Sequence, residues 1–163
     1  MKEPSFWSYS LREYRRAAVE PACLALQDEG ANVNLLLACC WLGSSGRRAD
    51  RRRLRRLLNA VASWQEQVVV PLRQVRRSLK PETWQVDAGG RRALRQRVAA
   101  AELEAEHLEQ LLLASLVVDL PQRPGRNFSS ENLQGYAALL ELDFGPRWRA
   151  LLAAVGGGLA APC

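Results

Sequence analysis

The feature that most constrains the fold is the stretch of residues 22–43, ACLALQDEGANVNLLLACCWLG. It consists of an apolar run, a short polar break and the longest apolar run in the chain. Gly30 is a typical end for a first helix, and Asn32 is a preferred N-cap for a second. The second helix, residues 33–42, is apolar on nearly every side, so it belongs in the core. The stretch therefore predicts a helical hairpin, residues 19–43, at the centre of an all-helical domain.

The remainder of the chain is also predicted to be helical, because apolar residues recur every three or four positions and alternating segments are hard to find. Ser5 and Asp50 are positioned to cap two of these helices. Pro71 predicts a kink or break between Val69 and Leu72, since proline lacks the backbone N–H that a helix interior needs. Three further helices are predicted, at residues 91–118, at 129–142 with Ser129 or Ser130 as the cap, and at 147–155.

The long helix at residues 91–118 carries one apolar stripe, which we expect to be its buried face. The acidic segment 102–109 then falls on the surface. Within it, Glu104 and His107 have the spacing of half a di-iron carboxylate site, but such a site needs a second pair of this kind and His107 is the only histidine. We therefore expect no metal there. The predicted stripe comprises Leu94, Val98, Ala101, Ala105, Leu108 and Leu112.

Length and composition place the chain among globular proteins, with 163 residues, 48% hydrophobic and 25% charged. No uncharged apolar run reaches the roughly 18 residues of a membrane span, and the N-terminus lacks the apolar region of a secretory signal. We predict a cytoplasmic protein with no stable membrane insertion. We also predict a single all-α, bundle-like domain of six or seven helices, ordered over about residues 5–155, with a flexible tail at 156–163.

The sequence lacks the residue patterns of the common catalytic classes. A single histidine argues against Ser-His-Asp and Cys-His catalysis, which need a base beside the nucleophile. No GxSxG, GxGxxG or GxxxxGK[ST] motif is present. The four cysteines form no CxxC pair, which argues against a structural zinc site. We expect no catalytic residue, no metal and no cofactor, and these absences favour a function that is not enzymatic.

Arginine is concentrated in one part of the chain, whereas Lys2 and Lys80 are the only lysines, and the formal net charge is +6. An arginine-rich helix face can bind phosphates. The leading hypothesis is therefore a non-enzymatic interaction or adaptor protein whose partner is an acidic protein, RNA or the ribosome. The alternative is a solvated face, paired partly with the acidic segment 102–109, in the arginine-rich composition of a GC-rich genome. The candidate partner-binding residues are Arg47, Arg48, Arg51, Arg52, Arg53, Arg55, Arg56, Arg73, Arg76 and Arg77.

The polar residues of the central hairpin support a competing hypothesis, a small-ligand binder or an enzyme. Its pocket would contain Tyr9 or Tyr14 from the first helix. The simpler interpretation is that Asp28 and Asn32 cap helix ends. Asn34 lies inside an apolar helix, where it requires a hydrogen-bond partner if it is buried. The candidate pocket residues are Gln27, Asp28, Asn32 and Asn34.

Three motifs stand out together. They are FWxYSLxxY at residues 6–14, ACLxLQD with VNLLL and WL at 22–42, and VVxPLRxxRRxLK at 68–80. In these motifs the chain resembles a family of small proteobacterial proteins that carries only a domain-of-unknown-function label, over roughly residues 6–142. The resemblance implies a cytosolic, all-helical bacterial protein. It implies no activity, cofactor or catalytic residue.

Overall fold

The computed structural model describes residues 5–156, which are mostly helical and contain no strand. The eight α-helices are α1 (Phe6–Tyr14), α2 (Val19–Asp28), α3 (Val33–Ser44), α4 (Arg51–Trp64), α5 (Val70–Ser78), α6 (Ala88–Ser115), α7 (Ser129–Leu139) and α8 (Pro146–Gly156). A π-helical turn (Gln65–Val69) joins α4 to α5 without a gap, so these residues form seven helical rods. The predicted all-α, bundle-like fold of six or seven helices is confirmed. The predicted flexible tail lies outside the described residues, apart from Gly156 at the end of α8.

Side chains cap four helices at their N-termini. The backbone N–H of the third helical residue donates to Ser5 Oγ in α1 at 3.2 Å, to Asp50 Oδ1 in α4 at 2.7 Å and to Asp87 Oδ2 in α6 at 2.6 Å. In α3, Asn32 Oδ1 accepts from the N–H of the second residue at 2.8 Å. The predicted caps Ser5, Asn32 and Asp50 are therefore confirmed. Helix α6 begins three residues earlier than predicted, because Asp87 supplies a cap that holds its first turn in place.

The predicted irregularity at Pro71 takes the form of the π-helical turn, which ends at Val69. At the end of this turn the N–H of Val70 bonds to the carbonyl of Gln65, five residues back. Pro71 then lies in the first turn of α5, the part of a helix that tolerates proline best. The helix thus widens into a π-helical turn just before the predicted interval and continues through the proline without a break.

Helix α3 forms the centre of the core, as predicted: its residues from Asn34 to Gly43 are all buried. It packs most extensively against α7. The two helices come closest at Gly43, where an added Cβ would lie 2.1 Å from the backbone nitrogen of Ser129. A glycine is therefore required at this crossing.

A buried asparagine of α7 connects three parts of the chain. Asn132 is fully buried, and its Oδ1 accepts a hydrogen bond from the N–H of Ala49 at 2.9 Å. Its Nδ2 donates to the carbonyls of Cys39 at 3.2 Å and Arg47 at 3.1 Å. These bonds satisfy the backbone where the chain leaves α3 and approaches α4.

The start of α7 differs from the prediction that Ser129 or Ser130 caps it. The N–H of Ser129 donates to Oδ1 of Asn127 at 2.9 Å, and the Ser129 hydroxyl donates to the carbonyl of Cys40 at 3.1 Å. Asn127 therefore satisfies the first amide, while Ser129 joins α7 to α3.

The buried face of α6 is not the predicted one. Leu94, Leu108 and Leu112 are 46%, 50% and 39% exposed. The stripe was predicted from the apolar residues of α6 alone, and the buried face is turned from it by nearly one residue position, roughly 100°. Of the predicted stripe, Ala105 is buried. It is rich in polar groups, because α6 packs against helices that offer arginine and asparagine partners. The buried residues of α6 are Arg91, Glu102, Ala105, Glu109, Gln110 and Leu113.

Candidate functional site

A cavity of about 270 Å³ lies where α1, α2, α3, α5 and α6 meet. Each of the five helices contributes side chains to the lining, so residues that are far apart in the sequence surround the same cavity. The walls include apolar side chains such as Leu24 and Leu37, but many of the lining groups are polar or charged. The cavity is thus lined by charged and polar groups as well as apolar ones.

Ion pairs between α5 and α6 form one wall of the cavity. Arg73 donates from Nε to Glu102 Oε1 at 3.0 Å and from Nη2 to Glu106 Oε1 at 2.9 Å. Arg76 binds both oxygens of Glu102. The Glu102 side chain is only 8% exposed. Burial acts to raise the pKa of Glu102, but hydrogen bonds from Arg76 and Arg73 outweigh it and hold that pKa below its usual range.

Glu106 is in a different electrostatic position. It shares Arg73 with Glu102, and burial raises its pKa above the ordinary value despite that contact. The protonated form of Glu106 is therefore stabilised relative to a carboxylate in water.

An amide and carboxylate network lies beneath the cavity, between α3 and α6. Gln110 Nε2 donates to Asn34 Oδ1 at 2.8 Å, and Asn32 Nδ2 donates to Glu109 Oε1 at 2.6 Å. The N–H of Asn32 also donates to the Tyr136 hydroxyl at 2.9 Å. Burial raises the pKa of Glu109, which is 1% exposed. The network fixes Asn34 and Gln110 against the cavity.

Trp7 and Tyr14 of α1 also line the cavity. The Trp7 ring stacks on the imidazole of His107 in α6, with centroids 4.1 Å apart and planes at 19°. This contact holds the indole in a fixed orientation. Burial raises the pKa of the Tyr14 hydroxyl well above the ordinary value.

Of the four predicted pocket residues, two line the cavity and two do not. Gln27 and Asn34 line the cavity together with Tyr14. Asn32 caps α3 and bonds to Glu109, so it supports the wall without lining it. Asp28 is exposed at the end of α2 and neither lines the cavity nor caps a helix.

The ten predicted partner-binding arginines fall into three environments. Arg73, Arg76 and Arg77 line the cavity. Arg53 pairs with Asp119, with Nη2 and Oδ2 2.7 Å apart, and Arg47 is half-buried beside Gln122. The remaining five are exposed, and no carboxylate of residues 5–156 lies within 4.0 Å of them. They are Arg48, Arg51, Arg52, Arg55 and Arg56.

Sequence reasoning missed the buried carboxylates of α6, which it placed on the surface. The signal was present in the spacing of Glu102, Glu106 and Glu109, which puts all three on one helix face. Ser10 and Gln110 were missed too, since a lone serine or glutamine has no distinctive pattern. Among the described residues, no group of three His, Cys, Asp or Glu side chains is arranged to hold a metal ion. In the same part of the chain no helix is long and apolar enough to cross a membrane.

These features define a small all-helical protein in which α1, α2, α3, α5 and α6 surround a cavity of mixed polar and apolar lining. Residues 5–113 match the family model described as "Protein of unknown function (DUF2390)", so the chain belongs to that family. The resemblance inferred from the motifs is thereby confirmed, over a range that ends in α6. Every residue that lines the cavity lies inside the matched range. No curated protein and no solved structure shows significant similarity to the chain.

Proposed function

We propose that this protein is a non-enzymatic interaction protein that binds the phosphate backbone of RNA through the start of α4. The proposal rests on five exposed arginines at residues 48–56, which lack an ion-pair partner within residues 5–156. Arg53 of the same segment differs from these five, because its guanidinium group forms an ion pair with Asp119.

The arrangement on the helix supports this proposal. At 100° per residue, Arg51, Arg52, Arg55 and Arg56 fall within a sector of roughly 140°. The opposite side of α4 carries the buried residues Leu54, Leu57 and Val61. Helix α4 contains no acidic residue that could neutralise the exposed face. Such a face favours phosphate contacts, because guanidinium groups bind phosphate oxygens in pairs and release counterions.

Fluorescence anisotropy with a labelled single-stranded RNA, over a series of salt concentrations, tests the proposal. The variant R51Q/R52Q/R55Q removes three exposed charges from α4. We expect it to bind more weakly, with a slope of log affinity against log salt reduced by about 2, since each single-strand phosphate contact contributes about 0.7.

A matched control removes the same charge elsewhere. Arg15, Arg92 and Arg149 are exposed and lie outside α4, without an ion pair in the described part of the chain. The variant R15Q/R92Q/R149Q should keep most of the affinity and the slope. Absent or salt-insensitive RNA binding contradicts the proposal. Equal loss of affinity in the two triple variants would contradict the assignment to α4, because it would show that RNA is attracted by the overall charge of the protein.

A further inference from the structure

The cavity between α1, α2, α3, α5 and α6 contains buried polar atoms that the protein does not use. Ser10 and Gln110 both line it, and each is 4% exposed. Ser10 Oγ and Gln110 Oε1 have no hydrogen-bond partner among the described residues. Buried polar groups are almost always paired, so Ser10 and Gln110 place two unsatisfied polar groups in the residues that form the cavity wall.

We propose that this cavity binds a small organic anion, with a carboxylate or phosphate head and an aromatic or branched apolar body. The site is distinct from the α4 surface and does not depend on it. The recognition chemistry comes from two parts of the lining: the arginines of α5, which we call the charged end, and apolar side chains of α1, α2 and α3, which we call the apolar end.

The charged end of the cavity is formed by Arg73, Arg76 and Arg77. Arg73 and Arg76 use Nε and Nη2 for their ion pairs, which leaves Nη1 of both without a partner in the described residues. Arg77 makes no ion pair in the same region. A carboxylate or phosphate is the group that matches several guanidinium donors at once.

Two of the three acidic residues of the wall are already paired with arginine. Both oxygens of Glu102 accept hydrogen bonds from Arg73 and Arg76, and Glu106 accepts one from Arg73. The third, Glu20, is exposed on α2. The guanidinium groups stay charged at any physiological pH. Arg77 and the Nη1 groups of Arg73 and Arg76 therefore remain as unused hydrogen-bond donors at this end of the cavity.

The apolar end sets the rest of the ligand. Trp7, Leu24 and Leu37 line it, and stacking on His107 holds the Trp7 ring in place. A volume of 270 Å³ equals that of about nine water molecules, so a ligand of roughly that many non-hydrogen atoms fits.

Isothermal titration calorimetry on the full-length protein tests the chemical class with four probes. Phenylacetate and phenyl phosphate carry the two anionic heads, phenylacetamide is the neutral analogue, and phenethylamine is the cationic one. We expect at least one anion to bind about tenfold more tightly than the neutral probe, since a charge-assisted hydrogen bond contributes at least that factor. The better of the two anions identifies the head group.

Two variants place the binding in the cavity. R77Q removes a charge that makes no internal ion pair, and it should lower anion affinity about tenfold while leaving the neutral probe unaffected. L24W enlarges a side chain that is 41% exposed and lines the cavity, so it should block all probes without overpacking the core. R92Q is the matched control, because Arg92 is exposed and outside the cavity.

The triple variant R51Q/R52Q/R55Q should bind the anions normally, which separates this proposal from RNA binding by α4. Tighter binding of the amine, equal binding of all four probes, or no binding at millimolar concentrations overturns the proposal. So does anion binding that both R77Q and L24W leave unchanged. Absence of RNA binding by the wild-type protein, together with anion binding in the cavity, would refute only the proposed function.

Discussion

The side-chain amide of Gln110 donates from Nε2 to Oδ1 of Asn34 across 2.8 Å, although 76 residues separate them in the chain. This bond joins the second residue of α3 to the C-terminal part of α6. The sequence indicated that Asn34 would need a partner if it is buried. That partner comes from α6 and makes Asn34 part of the cavity wall, while the amide oxygen of Gln110 has no partner among the described residues.

A double-mutant cycle on Asn34 and Gln110 should show strong coupling. N34A leaves a buried donor on Gln110 unsatisfied, so we expect a loss of about 1–3 kcal/mol in the free energy of unfolding. The double variant N34A/Q110A should lose less than the sum of the single variants. Urea unfolding provides the measurement. Gln134 and Ser130 form an exposed hydrogen bond on α7 and serve as the control pair, with coupling near zero; similar coupling in both pairs would contradict the prediction.

Local signals in the sequence were sufficient for most helix boundaries. Asn32 and Asp50 cap helices because their side chains accept hydrogen bonds from backbone N–H groups two or three residues later, so only neighbouring residues are involved. The buried face of α6 could not be predicted from such local signals. Leucine periodicity favoured Leu108 and Leu112, whereas the buried face is chosen by arginine and asparagine partners on α3 and α5. Those partners are distant in sequence, so burial of carboxylates was not evident from α6 alone.

The residues of the candidate site were also only partly predictable from the sequence. Of the residues that were singled out together, Gln27, Asn34 and Tyr14 line the cavity, whereas Asp28, Asn32 and Tyr9 do not. Ser10 was not, because a serine on an amphipathic helix carries no sign that its hydroxyl will lack a partner. The arginines at 73 and 76 were assigned to an open surface, although their ion pairs with Glu102 place them inside the cavity wall.

Replacing Gly43 with alanine should destabilise the protein strongly. The new Cβ would fall 2.1 Å from the nitrogen and 2.4 Å from the Cα of Ser129, so α7 must move away from α3. Overpacking of this kind costs about 1–3 kcal/mol, and more where backbone must shift. The control is G145A, since a Cβ at Gly145 meets nothing closer than 3.8 Å. Thermal unfolding followed by circular dichroism compares the two, and an unchanged G43A midpoint would show that the crossing is looser than described.

The three cysteines of the hairpin should be inert in the folded protein. Cys23, Cys39 and Cys40 are at most 1% exposed. Burial raises the pKa of both Cys23 and Cys39 to about 12, so almost no reactive thiolate forms at neutral pH. In the variant C163S, reaction with DTNB should release no fast thiol under native conditions. Three thiols should react after guanidinium denaturation, and rapid native labelling of any of them would contradict the buried assignment.

Glu109 should make the protein less stable as pH rises. Burial raises its pKa in the folded state, whereas the unfolded chain has an ordinary value near 4.3. The folded state therefore holds the proton more tightly, and stability falls as pH rises from about 4 through the raised pKa. E109Q removes this dependence, so its stability relative to wild type should increase from pH 4 to pH 7 in urea unfolding. E104Q controls for the loss of one charge from α6, and a difference for E109Q that does not vary with pH would contradict the assignment.

Glu102 should act in the opposite direction, although it lies only two turns before Glu109 on the same face of α6. Hydrogen bonds from Arg76 and Arg73 overcome the effect of burial and lower its pKa in the folded state. Its contribution to stability is then complete above the ordinary pKa of about 4.3 and is lost as pH falls through the lowered value. E102Q should lose about 3 kcal/mol at neutral pH, because two arginines would be left without their shared carboxylate. The gap between E102Q and wild type should narrow only below about pH 4, where the unfolded carboxylate takes up its proton first. A gap that narrows at higher pH instead would show that burial, and not the two arginines, controls this carboxylate.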